Sequence, residues 1–212
     1  LARKPADQSV NREEIILAAA DVLHRNGYES TTMKDIAAEV NLTAASLYHH
    51  FRNKDTLLLA VLEIGLGQVI KRLEPIVHAN QSNTDKLTEM IRVHISSLTR
   101  NTSVGAAMIF EIRPLMSLKT NARTGSKAYK DFIDRRNAFF RQRDYFEDLF
   151  RCVVRDGIEA GEFHPIDVNI FVKGLLGGNN WVAVWYREDG RLDGERIAEM
   201  MATNALRALT ME

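Results

Sequence analysis

Thr31–Leu58 reads TTMKDIAAEVNLTAASLYHHFRNKDTLL, and its punctuation sets out two short helices, a tight corner and the start of a third. Thr32-Met-Lys-Asp35 has the form of a capping box with Asp in place of Glu. It opens a helix over 33–40 that buries Met33, Ile36, Ala37 and Val40. Asn41-Leu42 supplies the corner, and Thr43 is a good N-cap for a helix over 44–50. Asn53 or Asp55 then opens a long helix to about Val77, with Pro75 ending or kinking it. Ala37 and Ala38 allow one short helix to approach the other closely. Ala44, Ala45 and Ser46 keep the second helix slim at its start, and Tyr48, His49 and His50 follow one turn later with hydrogen-bonding groups.

That layout is a helix-turn-helix, in which the first helix braces across a DNA backbone and the second lays its early residues along base edges. A slim start lets backbone amides reach a phosphate. Bulk charge does not help: the whole chain of 212 residues has a net charge of +0. The first sixty residues are not basic either. Binding to DNA therefore requires Lys34, Arg52 and Lys54 to face the duplex and the nearby acids to face elsewhere.

Working outward, residues 11–26 place Ile15, Ile16, Ala19, Val22 and Leu23 on one helical face. Asn11 caps that helix and Gly27 stops it. Beyond Val77 the periodicity predicts helices over 84–100 (capped by Thr84), 104–112, 126–160, 167–187 and 192–209. A polar loop is expected over 117–125. No alternating strand pattern appears, so the fold is all-α: a three-helix helix-turn-helix domain followed by a helical body.

The hydrophobic share of 45% is ordinary for a globular protein. The longest apolar runs fall short of a ~20-residue membrane span. The first residues show no apolar signal core, and the start at Leu1 suggests a truncated end, so residues 1–9 are left out of the fold reading. One cysteine, Cys152, excludes an internal disulfide and any multi-cysteine metal site. These features suit a cytoplasmic protein without a metal or cofactor. A helical enzyme would need a nucleophile with a base, a metal constellation or a phosphate loop; no such motif is present.

The pattern T-M-K-D-I-A-x-x-x-x-L-T-x-x-S-L-Y-H-H-F-x-N-K-D-x-L, as it stands here, resembles the N-terminal domain of the TetR family of bacterial regulators. The resemblance is strong over residues 11–62. It implies a DNA-binding domain over 1–52 and a ligand-binding and dimerisation domain over 53–212. It gives DNA contacts to Thr43, Ala44, Ala45, Ser46, Tyr48 and His49. Thr32, Lys34 and Lys54 inherit contacts to phosphates, while Ile36, Leu47 and Phe51 would be core. It also implies a homodimer on a palindromic operator, usually a repressor released by a small molecule.

The segments RNAFFRQRDYFEDLFRCVVRDGIEAGEF and GNNWVAVWYREDGRLDGERIAEMMATNALRAL are similar to the last helices of TetR-type regulators of fatty-acid, steroid or branched-chain catabolism. Several of those respond to acyl-CoA thioesters, which implies a lipid-like or acyl-CoA effector. Phe110, Arg113 and Met116 sit where the family's pocket floor usually lies. Trp181 and Trp185, with Tyr186, suit either a ligand pocket or packing at a dimer interface or in the core. Gly174, Gly177 and Gly178 each cost about 1 kcal/mol against Ala in a helix; close helix packing across a dimer, or room for a ligand, would offset that. Arg135, Arg136, Arg141 and Arg143 read as a solvated face. The alternative is a ligand- or protein-binding module of the same fold without specific DNA binding.

Overall fold

A computed structural model describes residues 11–100, 102–110, 115–116 and 125–210. Among them there is no strand, Leu115 and Met116 are helical, and nine further helices have both ends described. They are α1 (Arg12–Ser30), α2 (Met33–Glu39), α3 (Ala44–His50), α4 (Lys54–Val77), α5 (Asn83–Arg100), α6 (Thr102–Phe110), α7 (Lys127–Glu159), α8 (Val168–Trp185) and α9 (Gly194–Arg207). The all-α expectation holds.

Local caps set most of these boundaries. Asn11, Thr32, Thr43, Asn53, Ser126, Asp167 and Asp193 each accept a hydrogen bond from a backbone N–H of the helix they precede. Gly27 breaks α1 at φ 73°, a conformation glycine adopts without strain, and a short turn continues to Ser30. Pro75 sits within the last turn of α4. The start of α5 differs from expectation. Ser82, not Thr84, accepts from the Asp85 N–H at 3.0 Å. The N–H groups of Asn83 and Thr84 donate to the Glu162 carboxylate, each at 2.9 Å. A remote acid thus completes what the local sequence leaves open. Residues 111–114 and 117–124, which include the end of the predicted 104–112 helix and most of the predicted loop, lie outside the described residues.

The core is continuous from Ile15 through Leu209 and runs beneath both ends of the chain. α4 is its spine. It packs on α1 on one side and on α5, α6 and α7 on the other. α5 in turn carries α7, α8 and α9. α6 touches α1, α4, α5 and α8, so it joins the N-terminal helices directly to the body. Arg135 of α7 forms a two-pronged ion pair with Glu63 of α4.

The α7–α8 corner folds back tightly. The N–H groups of Glu162 and Phe163 both donate to the Gly157 carbonyl, at 2.9 and 3.1 Å. A Cβ on Gly157 would lie 2.2 and 2.3 Å from ring carbons of Phe163, which is itself buried. Gly157→Ala is therefore expected to destabilise by roughly 1–3 kcal/mol. Gly67→Ala, on α4 with nothing within 4 Å of its Cβ, is the control and should be neutral or stabilising. Urea unfolding of both variants checks this; equal midpoints would refute the tight contact.

Candidate DNA interface and effector cavity

The helix expected to read DNA, α3, stands outward. Thr43, Ala45, Tyr48, His49 and His50 are exposed, and Ala44 and Ser46 are partly so. The other side of α3 is anchored by Leu47, fully buried, with Phe51 just beyond it. Ile36 is buried as well, so all three expected core positions are core. The corner closes at Asn41, the one non-glycine residue with positive φ (54°) among those described. Asn tolerates that conformation better than most residues. The Leu42 N–H donates to the Ala37 carbonyl at 2.8 Å, which locks α2 against α3.

Two of the expected contact residues also shape the backbone. Thr32 and Asp35 form a reciprocal capping box: the Thr32 N–H donates to Asp35 at 2.8 Å, and the Asp35 N–H donates to Thr32 Oγ1 at 3.3 Å. These bonds to Thr32 hold the Asp35 carboxyl below its ordinary range. Thr43 Oγ1 accepts from the Ser46 N–H at 3.0 Å. Both threonines hold helix starts in place at the surface where a duplex would lie.

Three of the nearby acids are engaged within the protein. Glu39 pairs with Arg25 at 2.6 Å. Asp35 is spent on its cap, and Asp55 is buried and accepts the Tyr28 hydroxyl. Lys34 and Arg52 are exposed and pair with no carboxylate among the described residues. Lys54 departs from expectation. It is only half exposed; its ammonium donates to the Tyr28 carbonyl at 2.5 Å and lies 4.2 Å over the Tyr28 ring. A phosphate contact would require the ammonium to leave those partners. As placed, Lys54 ties the end of α1 to the start of α4.

A cavity of about 420 Å³ lies beside α4, in the body. Leu66 and Val69 of α4, Leu98 of α5, Val104 of α6, Phe146 of α7 and Leu176 of α8 supply its apolar wall. Lys71, Arg72, Arg100 and Arg143 stand around it. Arg72 donates to Ser97 Oγ at 3.2 Å, and Arg143 reaches Glu147 only at 4.0 Å. Neither Lys71, Arg72 nor Arg100 pairs with a carboxylate among the described residues. Glu147 is engaged elsewhere, accepting from Arg151 and Lys173 at 2.6 Å each. Burial works to raise its pKa, but Lys173, Arg151 and Arg143 outweigh that and hold it ionised. A polar groove between α5 and α9 adjoins the cavity and shares Arg72, Ser96 and Arg100 as wall.

His94 belongs to this cavity's wall and is buried. Burial pushes its pKa down to about 4, against the pull of a hydrogen bond with Asn180. The ring is uncharged at neutral pH.

Three of the residues expected to line a ligand site lie away from this cavity. Trp181 and Trp185 do not line the cavity; they are 62% and 46% exposed on the outer face of α8. Their helix turns Leu176 inward and the tryptophans out. Met116 is also exposed, at 64%. The Phe110 side chain and Arg113 lie outside the described residues. Sequence reasoning missed the cavity's own lining. One signal was available: His94 sits on the apolar face of α5, in phase with Leu87, Met90, Ile91 and Leu98.

An outward second helix on a braced corner, joined through α4 and α6 to a body with a cation-ringed cavity, defines a ligand-responsive helix-turn-helix transcriptional regulator. Residues 15–61 match the family described as bacterial regulatory proteins, tetR family, and residues 133–209 match the tetracyclin repressor-like C-terminal domain. The chain belongs to the TetR family of transcriptional regulators. It is 26% identical over 208 residues to the HTH-type transcriptional repressor KstR2 of Mycolicibacterium smegmatis, covering 97% of this chain and 94% of that one. It is 24% identical to the fatty acid metabolism regulator protein of Bacillus subtilis, covering 85% of this chain and 86% of the relative. The structure of AibR in complex with isovaleryl coenzyme A and operator DNA superposes with a TM-score of 0.75 at 25% identity, covering 91% of this chain and 96% of that one. No helix among the described residues is long and apolar enough to cross a membrane.

Proposed function

We propose that this protein is a homodimeric cytoplasmic repressor without catalytic activity, released from a palindromic operator when an acyl-CoA thioester enters the cavity beside α4. Residues 1–52 serve as the reading head and residues 53–212 as the sensing and pairing body. The observation that carries the effector class is the coincidence of an apolar cavity with cations at Lys71, Arg72 and Arg100 that no described carboxylate neutralises. An acyl chain suits the first and the phosphates of a nucleotide head suit the second. AibR, solved with both a CoA thioester and operator DNA, supports the same pairing of ligand and duplex.

The same cavity supplies a route to the reading head. Val104 and Gly105 of α6 are part of its wall, and α6 packs on α1. A Cβ on Gly105 would come within 3.1 Å of the Leu98 backbone, so α6 has little room to yield sideways. A ligand that displaces α4 or α6 moves the helices that hold α3. Two reading heads must stand roughly 34–36 Å apart to enter successive major grooves, and a change in that spacing weakens DNA binding. By linkage, the DNA complex must then bind the ligand less well by the same factor.

The test uses an operator selected from random duplexes with the full-length chain, titrated by fluorescence anisotropy with and without octanoyl-CoA. The expected result is a loss of affinity of roughly 5–150-fold on saturation, which Arg72→Glu with Arg100→Glu abolishes. Operator binding that is identical with and without octanoyl-CoA, together with no calorimetric binding of the thioester, would overturn the effector assignment.

A further inference from the structure

The size of a closed apolar space sets the size of what fills it. An apolar cavity of about 150 Å³ holds benzene, so each buried carbon needs roughly 25 Å³. The cavity beside α4 measures about 420 Å³, which on that scale admits about seventeen non-hydrogen atoms. Its wall has little room to yield. Leu66, Val69, Leu98, Val104, Phe146 and Leu176 are all buried core residues. Leu98 is backed by α6, where a Cβ on Gly105 would stand 3.1 Å from the Leu98 Cα. Phe146 is wedged between the rings of His94, at 5.2 Å between centroids, and Phe150, at 5.4 Å. Interiors packed in this way resist enlargement. Gln68, Lys71, Arg72 and Arg100 are the exposed part of the lining. They mark the mouth, where a charged head must remain, so the far end of an acyl chain lies against the buried wall.

We infer that the cavity selects its effector by length and takes an acyl group of about ten to fourteen carbons. The inference rests on the thioester reading above and adds which thioesters qualify. Of about seventeen atoms, the thioester oxygen and sulfur take two, and the remainder bounds the chain. A shorter acyl group leaves part of the apolar wall bare, and each missing methylene forfeits about fourfold in affinity. A longer one has two courses, and both lose. It displaces Phe146, Leu98 or their neighbours from the core, which is overpacking. Otherwise it turns its end back into the mouth, where Lys71, Arg72 and Arg100 meet water and extra methylenes gain nothing.

The test is a series of straight-chain thioesters: butanoyl-, octanoyl-, decanoyl-, dodecanoyl-, tetradecanoyl- and octadecanoyl-CoA. Each is titrated into the full-length protein by calorimetry, below the concentration at which it forms micelles. Affinity is expected to rise about fourfold per methylene from the shortest. It should peak among the decanoyl, dodecanoyl and tetradecanoyl compounds, and octadecanoyl-CoA should bind about tenfold or more below that peak. Two wall variants move the peak in opposite directions. Val69→Phe adds four carbons to the wall and should shift the optimum about four carbons shorter. Leu176→Ala removes three and should shift it about three carbons longer. A peak that stays in place in both variants, with each shown to be folded by circular dichroism, overturns the inference. If neither variant folds, the wild-type series decides alone. Affinity that peaks at octanoyl-CoA or shorter, climbs unbroken to octadecanoyl-CoA, or stays within a factor of two throughout also overturns it, and the thioester reading survives. If no CoA compound binds the wild type at all, the thioester reading itself falls and this inference falls with it.

Discussion

Trp181→Glu is expected to divide the assembly into single chains of 24.0 kDa and to weaken operator binding by roughly 10²–10⁴-fold, the advantage lost when two linked contacts become one. The outer face of α8 presents Ile170, Trp181 and Trp185 at 71%, 62% and 46% exposure. They are spaced along one stripe with Gly174 and Gly177 between them. Nothing lies within 4 Å of where a Cβ on either glycine would stand, so neither is required by packing inside the chain. In a helix each costs about 1 kcal/mol against Ala. A second α8 pressed against that stripe explains both features: tryptophans to cover and glycines to permit close approach. The pairing of α8 and α9 with their mates would then form a four-helix bundle. The Glu variant places two unpaired carboxylates across the two-fold axis. Trp181 lies off the cavity, so octanoyl-CoA binding should survive the change. Light scattering coupled to gel filtration, with the anisotropy titration beside it, reads both quantities. A Trp181→Glu chain that remains a dimer would show that another face makes the interface.

How much of this could be read from the sequence follows from how local each device is. The helix-turn-helix was readable because its parts lie within one turn of each other: Thr32 with Asp35, Thr43 with Ser46, Asn53 with Thr56. The neutral charge of the N-terminal segment was a puzzle only because pairings are not local. Glu39 finds Arg25 fourteen residues away, and Asp55 finds Tyr28 at twenty-seven. Lys54 resembles a phosphate ligand by position, yet its nearest partner is a carbonyl twenty-six residues upstream.

The lining of the cavity was illegible for the same reason on a larger scale. Five helices contribute to it, from α4 to α8, and nothing in any one of them announces the assembly. Trp181 and Trp185 drew attention as ligand-lining aromatics because residue type is visible in a sequence. The phase of α8 against its neighbours is not. His94 was the converse case. Its position in the apolar stripe of α5 was visible, but a histidine there most often has its hydrogen bonds satisfied. Only the surroundings show that one nitrogen does not.

The second large effect concerns that same ring under acid. His94 has an ordinary pKa of 6.5 when unfolded and about 4 in the fold, because burial disfavours the charged form. Between those values the unfolded chain takes up a proton that the native chain refuses. Stability therefore has its full value above pH 6.5 and falls as the pH drops toward 4, by about 3 kcal/mol in all. The acids on the elements packed around the ring act in a lower window. Glu147 on α7 is held below its ordinary value, as is Glu162, which binds the start of α5, so each loses its contribution only as the pH falls through the ordinary carboxylate range and below. Their acid loss adds to that of His94 but begins later. Urea unfolding between pH 7.5 and 4.5 should accordingly show a wild-type slope approaching about 1.4 kcal/mol per pH unit below 6, while His94→Phe stays nearly flat until the carboxylates titrate. Parallel curves for the two proteins above pH 4.5 would mean that His94 accepts its proton inside the fold, and burial would then not be disfavouring its charged form.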